Sequence, residues 1–131
     1  MYDYSKLVYP EVSYKINGIL FSVHNKLGRY CNEKQYGDAV EEELNRLKIE
    51  YEREKTIPKS FDGEIVGRNK VDFIVDNKII LELKAVRIIS RDEYYQVRRY
   101  LQACDKKLGI IVNFRDKFIK PKRILNSAAK E

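Results

Sequence analysis

The sequence has few residues of the kinds that build zinc sites or disulfide bridges. Its two cysteines, Cys31 and Cys104, lie far apart and outside any CxxC spacing, and its single histidine is His24. A structural zinc site takes four cysteine or histidine ligands, so none is expected here. Both thiols are expected to be reduced. His24 borders an apolar helical stripe, where a partly buried, hydrogen-bonded histidine is the expected role.

Long apolar runs are also absent. No uninterrupted apolar stretch approaches the ~20 residues that span a bilayer. The N-terminus also lacks the charged segment and following apolar stretch of a secretion signal. We therefore expect a cytoplasmic protein. The chain has 131 residues, of which 44% are hydrophobic, which predicts a single domain over residues 1–131 with one core.

Acidic residues are outnumbered by basic ones. The chain has 26 Lys and Arg against 20 Asp and Glu, a formal charge of +6, which favours a polyanionic partner. The excess is concentrated in residues 115–131. There, Lys117, Lys120, Lys122 and Arg123 are candidates for phosphate contacts with a nucleic acid. A solvated terminal face accounts for the same run equally well.

The spacing of apolar residues predicts the order α-α-β-β-β-α-β, which gives an α/β or α+β domain with a mixed sheet. Ser90 and Glu93 form a capping-box pattern at the start of the third helix. The predicted helices cover residues 11–27, residues 33–47 and a segment from Ser90 that Gly109 ends. The predicted strands cover residues 49–57, 71–75, 78–86 and 108–114, with an edge element within 118–125.

Three charged residues, Asp72, Glu82 and Lys84, interrupt two otherwise apolar strands. Burying a charge in a core costs free energy, and an apolar residue would be cheaper there. The three residues are therefore candidates for function. Side chains alternate along a strand, which places Glu82 and Lys84 on one face. A three-residue loop over residues 76–78 puts Asp72 opposite Glu82. A two-residue loop would put Asp72 opposite Leu81 and on the wrong face, so the chemistry requires an odd-length loop or a bulge.

Two carboxylates on neighbouring strands repel each other, and a divalent cation relieves that repulsion. Asp72 and Glu82 offer the oxygen ligands that Mg²⁺ or Mn²⁺ takes. Lys84 would then orient or activate the attacking water and offset charge on the phosphate. On these three residues alone, a buried salt bridge of Lys84 with a carboxylate is the favoured interpretation.

Gln96 and Tyr100 lie one turn apart at the margin of the apolar stripe of the third helix. A glutamine amide and a tyrosine hydroxyl at this position could hydrogen-bond to the metal-site carboxylates or to a phosphate. From these two residues alone, the favoured interpretation is that they form an ordinary polar edge of the helix, with Tyr100 packed sideways.

The segment with these strands and the third helix resembles the PD-(D/E)XK nuclease superfamily, and the whole chain resembles its GxxExxY family. The resemblance covers nearly all of residues 10–125. One position departs from the pattern, because Tyr30 stands where the GxxExxY motif has its glycine. The matching segments are Val23-His24, Leu27-Gly28, Glu33-x-x-Tyr36, Val71-Asp72-Phe73, Glu82-Leu83-Lys84-Ala85-Val86, Gln96-x-x-x-Tyr100-Leu101 and Gly109 to Phe114.

The resemblance implies a restriction-endonuclease-like core, with a mixed β-sheet flanked by helices. It also implies that Glu33 approaches the metal site from the helical layer. The alternative for Glu33 is an exposed residue of a first helical turn, where a negative charge suits the helix dipole. The implied site has Asp72, Glu82, Glu33 and the Leu83 carbonyl as metal ligands and Lys84, Gln96 and Tyr100 as catalytic residues.

The leading hypothesis is a metal-dependent nuclease that hydrolyses phosphodiester bonds of DNA, with a metal-bound water as nucleophile. A second enzyme hypothesis is a structure-selective junction resolvase, which would act as a homodimer. A hypothesis of another class is a catalytically silent nucleic-acid-binding or regulatory module, because a fold does not fix a function.

Overall fold

A computed structural model gives the fold of residues 8–130. The helices and strands follow in the expected order, and the edge element forms a fifth strand. No helix in this part of the chain combines the length and apolar character needed to cross a membrane. The elements are α1 (Pro10–Leu27), α2 (Glu33–Arg46), β1 (Tyr51–Thr56), β2 (Lys70–Val75), β3 (Ile79–Lys84), α3 (Arg91–Cys104), β4 (Leu108–Asn113) and β5 (Lys122–Leu125).

The five strands form one mixed sheet in the order β1-β2-β3-β4-β5. Only β3 and β4 are parallel, and α3 makes the crossover between them. One core lies between the sheet and the first two helices, and it includes Leu20, Tyr36 and Phe73. A second core lies under α3 and includes Val97 and Leu101. The α+β fold with a mixed sheet is therefore confirmed.

The hairpin between β2 and β3 has the three-residue loop that the candidate site requires. Val75 pairs with Ile79, so residues 76–78 form the loop. The Lys78 N–H donates to the Val75 carbonyl (3.0 Å) and closes the turn. Asp76 and Asn77 take left-handed backbone angles, with φ of 54° and 52°, which short polar side chains tolerate well. The predicted register is confirmed.

The predicted end of the third helix was wrong. Helix α3 ends at Cys104, and Asp105 caps it with a left-handed backbone (φ 54°, ψ 44°). Gly109 lies within β4, where an added Cβ would come 2.7 Å from Val97 Cγ1. Leu108 fits the apolar stripe of a helix but begins a buried strand. Gly109 therefore allows α3 to pack closely on the sheet and does not end the helix.

His24 takes the role expected of it. His24 Nε2 lies 2.9 Å from the Asp116 carbonyl, and the ring is half-buried. Cys31 and Cys104 are both free thiols.

Candidate active site

At one end of the β2–β3 hairpin, carboxylate side chains replace the backbone ladder. Regular pairing runs from Val75 to Phe73 and stops there. Beyond it, the Leu83 N–H donates to Asp72 Oδ2 (2.7 Å), and the Asp72 N–H donates to Glu82 Oε1 (3.1 Å). The two acidic side chains therefore lie beside each other across the hairpin.

The environment of the two carboxylates opposes their simultaneous ionisation. Glu82 is only 6% exposed. Burial, and then the charge of Asp72, raise the pKa of Glu82 to about 8. The pKa of Asp72 is also raised, chiefly by burial, against the Leu83 N–H bond and the charge of Lys84. Near neutral pH the pair therefore retains a proton when no cation is present.

Lys84 lies close to these carboxylates and to the start of α3. Its Nζ is 3.8 Å from Glu93 Oε1, and both side chains are largely shielded from solvent. Glu93 Oε2 accepts a hydrogen bond from the Ser90 N–H (2.6 Å) and so caps the helix. The sequence predicted Glu93 only as a capping residue. Its contact with Lys84 was missed, because it depends on how the β3–α3 loop folds back.

Glu33 reaches the same region from the first turn of α2. That helix begins with a capping box formed by Asn32 and Gln35. Glu33 Oε2 accepts a hydrogen bond from the Ala85 N–H (3.1 Å), and its charge contributes to the raised pKa of Asp72. Glu33 thus approaches from the helical layer, as the resemblance implies.

The described residues hold no cluster of three or more His, Cys, Asp or Glu side chains placed to bind a metal. The geometry therefore offers a site of two carboxylates, Asp72 and Glu82. Glu33 Oε2 accepts the Ala85 N–H, and no contact within the described part of the chain brings the other carboxylate oxygen to Asp72 or Glu82 as a third member of the group. Its role as a ligand, and that of the Leu83 carbonyl, stay predictions.

Helix α3 brings Gln96 and Tyr100 to the Glu82 side of the sheet. Tyr100 is 6% exposed. Burial, and then the charge of Glu82, raise the pKa of the Tyr100 hydroxyl, while a hydrogen bond with Gln96 lowers it. The two residues therefore lie near the acidic pair. Their catalytic roles stay predictions.

The basic residues near the C-terminus are divided between two surroundings. Lys122 lies on β5, in the same row of paired residues as Glu82 but two strands away. The distance between the two positions is about 10 Å. Arg123 donates to the Ser13 hydroxyl in α1 (2.9 Å) and to the Val8 carbonyl just before α1 (2.7 Å). Lys117 and Lys120 are exposed. Phosphate binding by these four residues stays a prediction, and Arg123 also holds β5 to α1.

Asn113, at the end of β4, fixes the chain just after Lys84. Its buried amide donates to the Val86 carbonyl (2.6 Å) and accepts from the Val86 N–H (3.1 Å). The Arg115 N–H also donates to Asn113 Oδ1 (3.2 Å). The sequence contained no signal for this role beyond the place of Asn113 in the family resemblance.

Asn113→Ala should lower the free energy of unfolding by about 2–4 kcal/mol, because it leaves both polar groups of Val86 without partners. Urea denaturation measures the change. The exposed Asn25→Ala variant is the control and should stay within about 0.5 kcal/mol of wild type. Equal effects for the two variants would show that the Asn113 amide does not stabilise the loop.

A mixed sheet between helices, with an acidic pair and a lysine on one hairpin, is typical of one class of metal-dependent nucleases. A comparison with protein families matches residues 10–124 to the PD-(D/E)XK nuclease superfamily. The chain therefore belongs to this superfamily, and the predicted resemblance is confirmed at that level. Membership indicates a nuclease with a nucleic-acid substrate, and such nucleases generally use divalent metals. Comparisons with curated proteins and with solved structures found no match.

Proposed function

We propose that the protein is a divalent-metal-dependent nuclease that hydrolyses phosphodiester bonds of DNA. The observation that carries the proposal is the convergence of the Asp72 and Glu82 carboxylates beside Lys84 at the end of one hairpin. Superfamily membership supports the same activity. The formal charge of +6 favours a polyanionic substrate.

The residues present fit a small dication. Two adjacent carboxylates that share a proton can exchange that proton for a metal ion, which removes their repulsion. Asp72 and Glu82 would hold Mg²⁺ or Mn²⁺, with the Leu83 carbonyl and Glu33 as further ligands. When bound, such an ion polarises a phosphate oxygen and lowers the pKa of a water molecule.

Lys84 and residues of α3 complete the proposed site. The Lys84 ammonium would offset the charge that develops on the phosphate and orient the attacking water. Glu93 keeps the Lys84 amine near the carboxylates. Gln96 and Tyr100, which hydrogen-bond to each other near Glu82, would complete the site from the side of α3.

A cleavage screen of the purified chain tests this function. Wild type should cut at least one of single-stranded DNA, duplex DNA, a four-way junction or RNA with Mg²⁺ or Mn²⁺, and EDTA should stop it. Lys84→Ala, which keeps both carboxylates, is the matched control for contaminating nucleases and should not cut.

Binding without cleavage of any substrate would refute the nuclease and favour a silent nucleic-acid-binding module. Cleavage of the four-way junction alone, by a homodimer, would favour the resolvase.

A further inference from the structure

Tyr30 is an exposed aromatic residue beside two arginines in the loop between α1 and α2. Its side chain is 77% exposed. The guanidinium carbons of Arg29 and Arg115 lie 5.3 and 5.7 Å from the ring centroid. At this exposure, most of the Tyr30 side chain is accessible to a further planar group despite the two neighbouring arginines.

The two arginines are fixed by backbone carbonyls and not by acidic residues. Arg29 Nε donates to the Arg115 carbonyl (2.8 Å), and Arg115 Nε donates to the Arg29 carbonyl (3.0 Å). Arg115 Nη2 also donates to the Ala85 carbonyl (3.4 Å). Within residues 8–130, neither guanidinium forms an ion pair. Their positive charge is thus held in place and left uncompensated.

The loop that carries Tyr30 is itself anchored to the core by Tyr36. The Tyr36 hydroxyl donates to the Gly28 carbonyl (2.5 Å) and accepts from the Cys31 N–H (3.2 Å). Its ring stacks on Phe114 with centroids 4.1 Å apart. Tyr30 therefore projects from a rigid support, which reduces the entropy lost when a ligand binds.

This surface adjoins the candidate active site. Tyr30, Arg115, Ala85 and Glu33 line one shallow depression. Ala85 directly follows Lys84 in the chain, and Glu33 accepts its N–H (3.1 Å). A strand whose phosphate lay at Lys84 would therefore lie next to the depression that Tyr30 lines.

We propose that Tyr30, Arg29 and Arg115 form a subsite in which one unpaired base stacks on the tyrosine ring and its phosphate binds the two guanidinium groups. This inference rests on the proposed function, because it takes nucleic acid as the ligand. It adds that the substrate is single-stranded or unpaired at this nucleotide.

Stacking explains why the subsite selects unpaired nucleotides. A base that stacks on an aromatic side chain contributes about 1–3 kcal/mol, whatever its identity. In a duplex, each base already stacks on its neighbours, and extruding it costs a few kcal/mol. The same tyrosine therefore adds affinity for a single strand and little for a duplex.

Metal-free binding of a short oligonucleotide tests the subsite independently of cleavage. The probe is a ten-nucleotide single strand that contains 2-aminopurine, in EDTA, with its duplex as comparison. Tyr30→Ala should weaken single-strand binding by about 5- to 150-fold. Duplex binding should change by less than about twofold. Tyr30→Phe keeps the ring and should bind the single strand within about twofold of wild type. The slope of log affinity against log salt should not change with Tyr30→Ala, because no charge is removed.

Three results would overturn the subsite. In the first, Tyr30→Ala binds the single strand as tightly as wild type. In the second, Tyr30→Ala loses equal affinity for the single strand and the duplex. In the third, wild type does not bind the single strand. Unchanged melting temperatures of the variants exclude a folding defect as the cause. Tyr30-dependent binding by a chain that cleaves nothing would support the subsite while refuting the nuclease, so the two failures are distinguishable.

Discussion

The metal-free protein should lose stability as the pH rises from about 5 to about 8, and Glu82→Gln should remove most of that dependence. The pKa of Glu82 is raised from 4.5 to about 8 by burial and by the charge of Asp72. Between these two values the folded protein binds more protons than the unfolded chain, so the free energy of unfolding falls as pH rises. The loss should amount to several kcal/mol and be complete once Glu82 is ionised.

Urea unfolding in EDTA at several pH values between 5 and 8 measures this dependence. Glu43→Gln is a matched control, because Glu43 is also buried but its pKa is lowered, first by its hydrogen bond with Arg46. Ionised Glu43 stabilises the fold above its unfolded pKa, and that stability is lost only as the pH falls through its folded pKa. The control should therefore keep the wild-type fall between pH 5 and 8. A wild-type stability that is flat or rises over this range would contradict the shared-proton arrangement.

The parts of the fold that the sequence predicted are those specified by local patterns. The β2–β3 register followed from the requirement that Asp72 and Glu82 share one face, because a strand has a fixed period of two and a two-residue loop would separate them. The start of α3 after Ser90 followed from a capping box that involves only adjacent turns, and the start of α2 near Glu33 followed from the helical spacing of apolar residues. The end of α3 was wrong because Leu108 suits a helical stripe and a buried strand equally well.

Contacts that depend on the packing of distant segments could not be predicted. Glu93 meets Lys84 only because the β3–α3 loop brings the helix start over the end of β3. Asn113 hydrogen-bonds Val86 across two neighbouring parallel strands, and no spacing in the sequence encodes that partner. The link between Arg115 and the loop containing Tyr30 likewise joins segments 86 residues apart in the chain. These contacts position the candidate site, whereas its central residues could be picked from the strand pattern.

Two measurements on the same variants should distinguish the role of the metal ligands from that of the water-orienting Lys84. Mg²⁺ or Mn²⁺ at about ten times its dissociation constant should stabilise wild type by about 1.4 kcal/mol, because the ion binds the folded state alone. Asp72→Asn should lose this gain and the cleavage activity together. Lys84→Ala should keep the gain, or increase it as a nearby positive charge is removed. Its cleavage rate should nevertheless fall by a factor of about 10²–10³, the usual effect of losing one group that stabilises charge in the transition state.

Thermal unfolding with and without metal measures the first quantity, and initial cleavage rates measure the second. Lys15→Ala removes an exposed lysine on α1, outside the proposed site, and should leave both quantities unchanged. Without metal, Asp72→Asn should melt higher than wild type, because it removes one member of a repelling pair. If millimolar metal does not shift the melting temperature of wild type, with or without nucleic acid, Asp72, Glu82 and Lys84 form a structural salt bridge. The chain would then act by binding nucleic acid without cutting it.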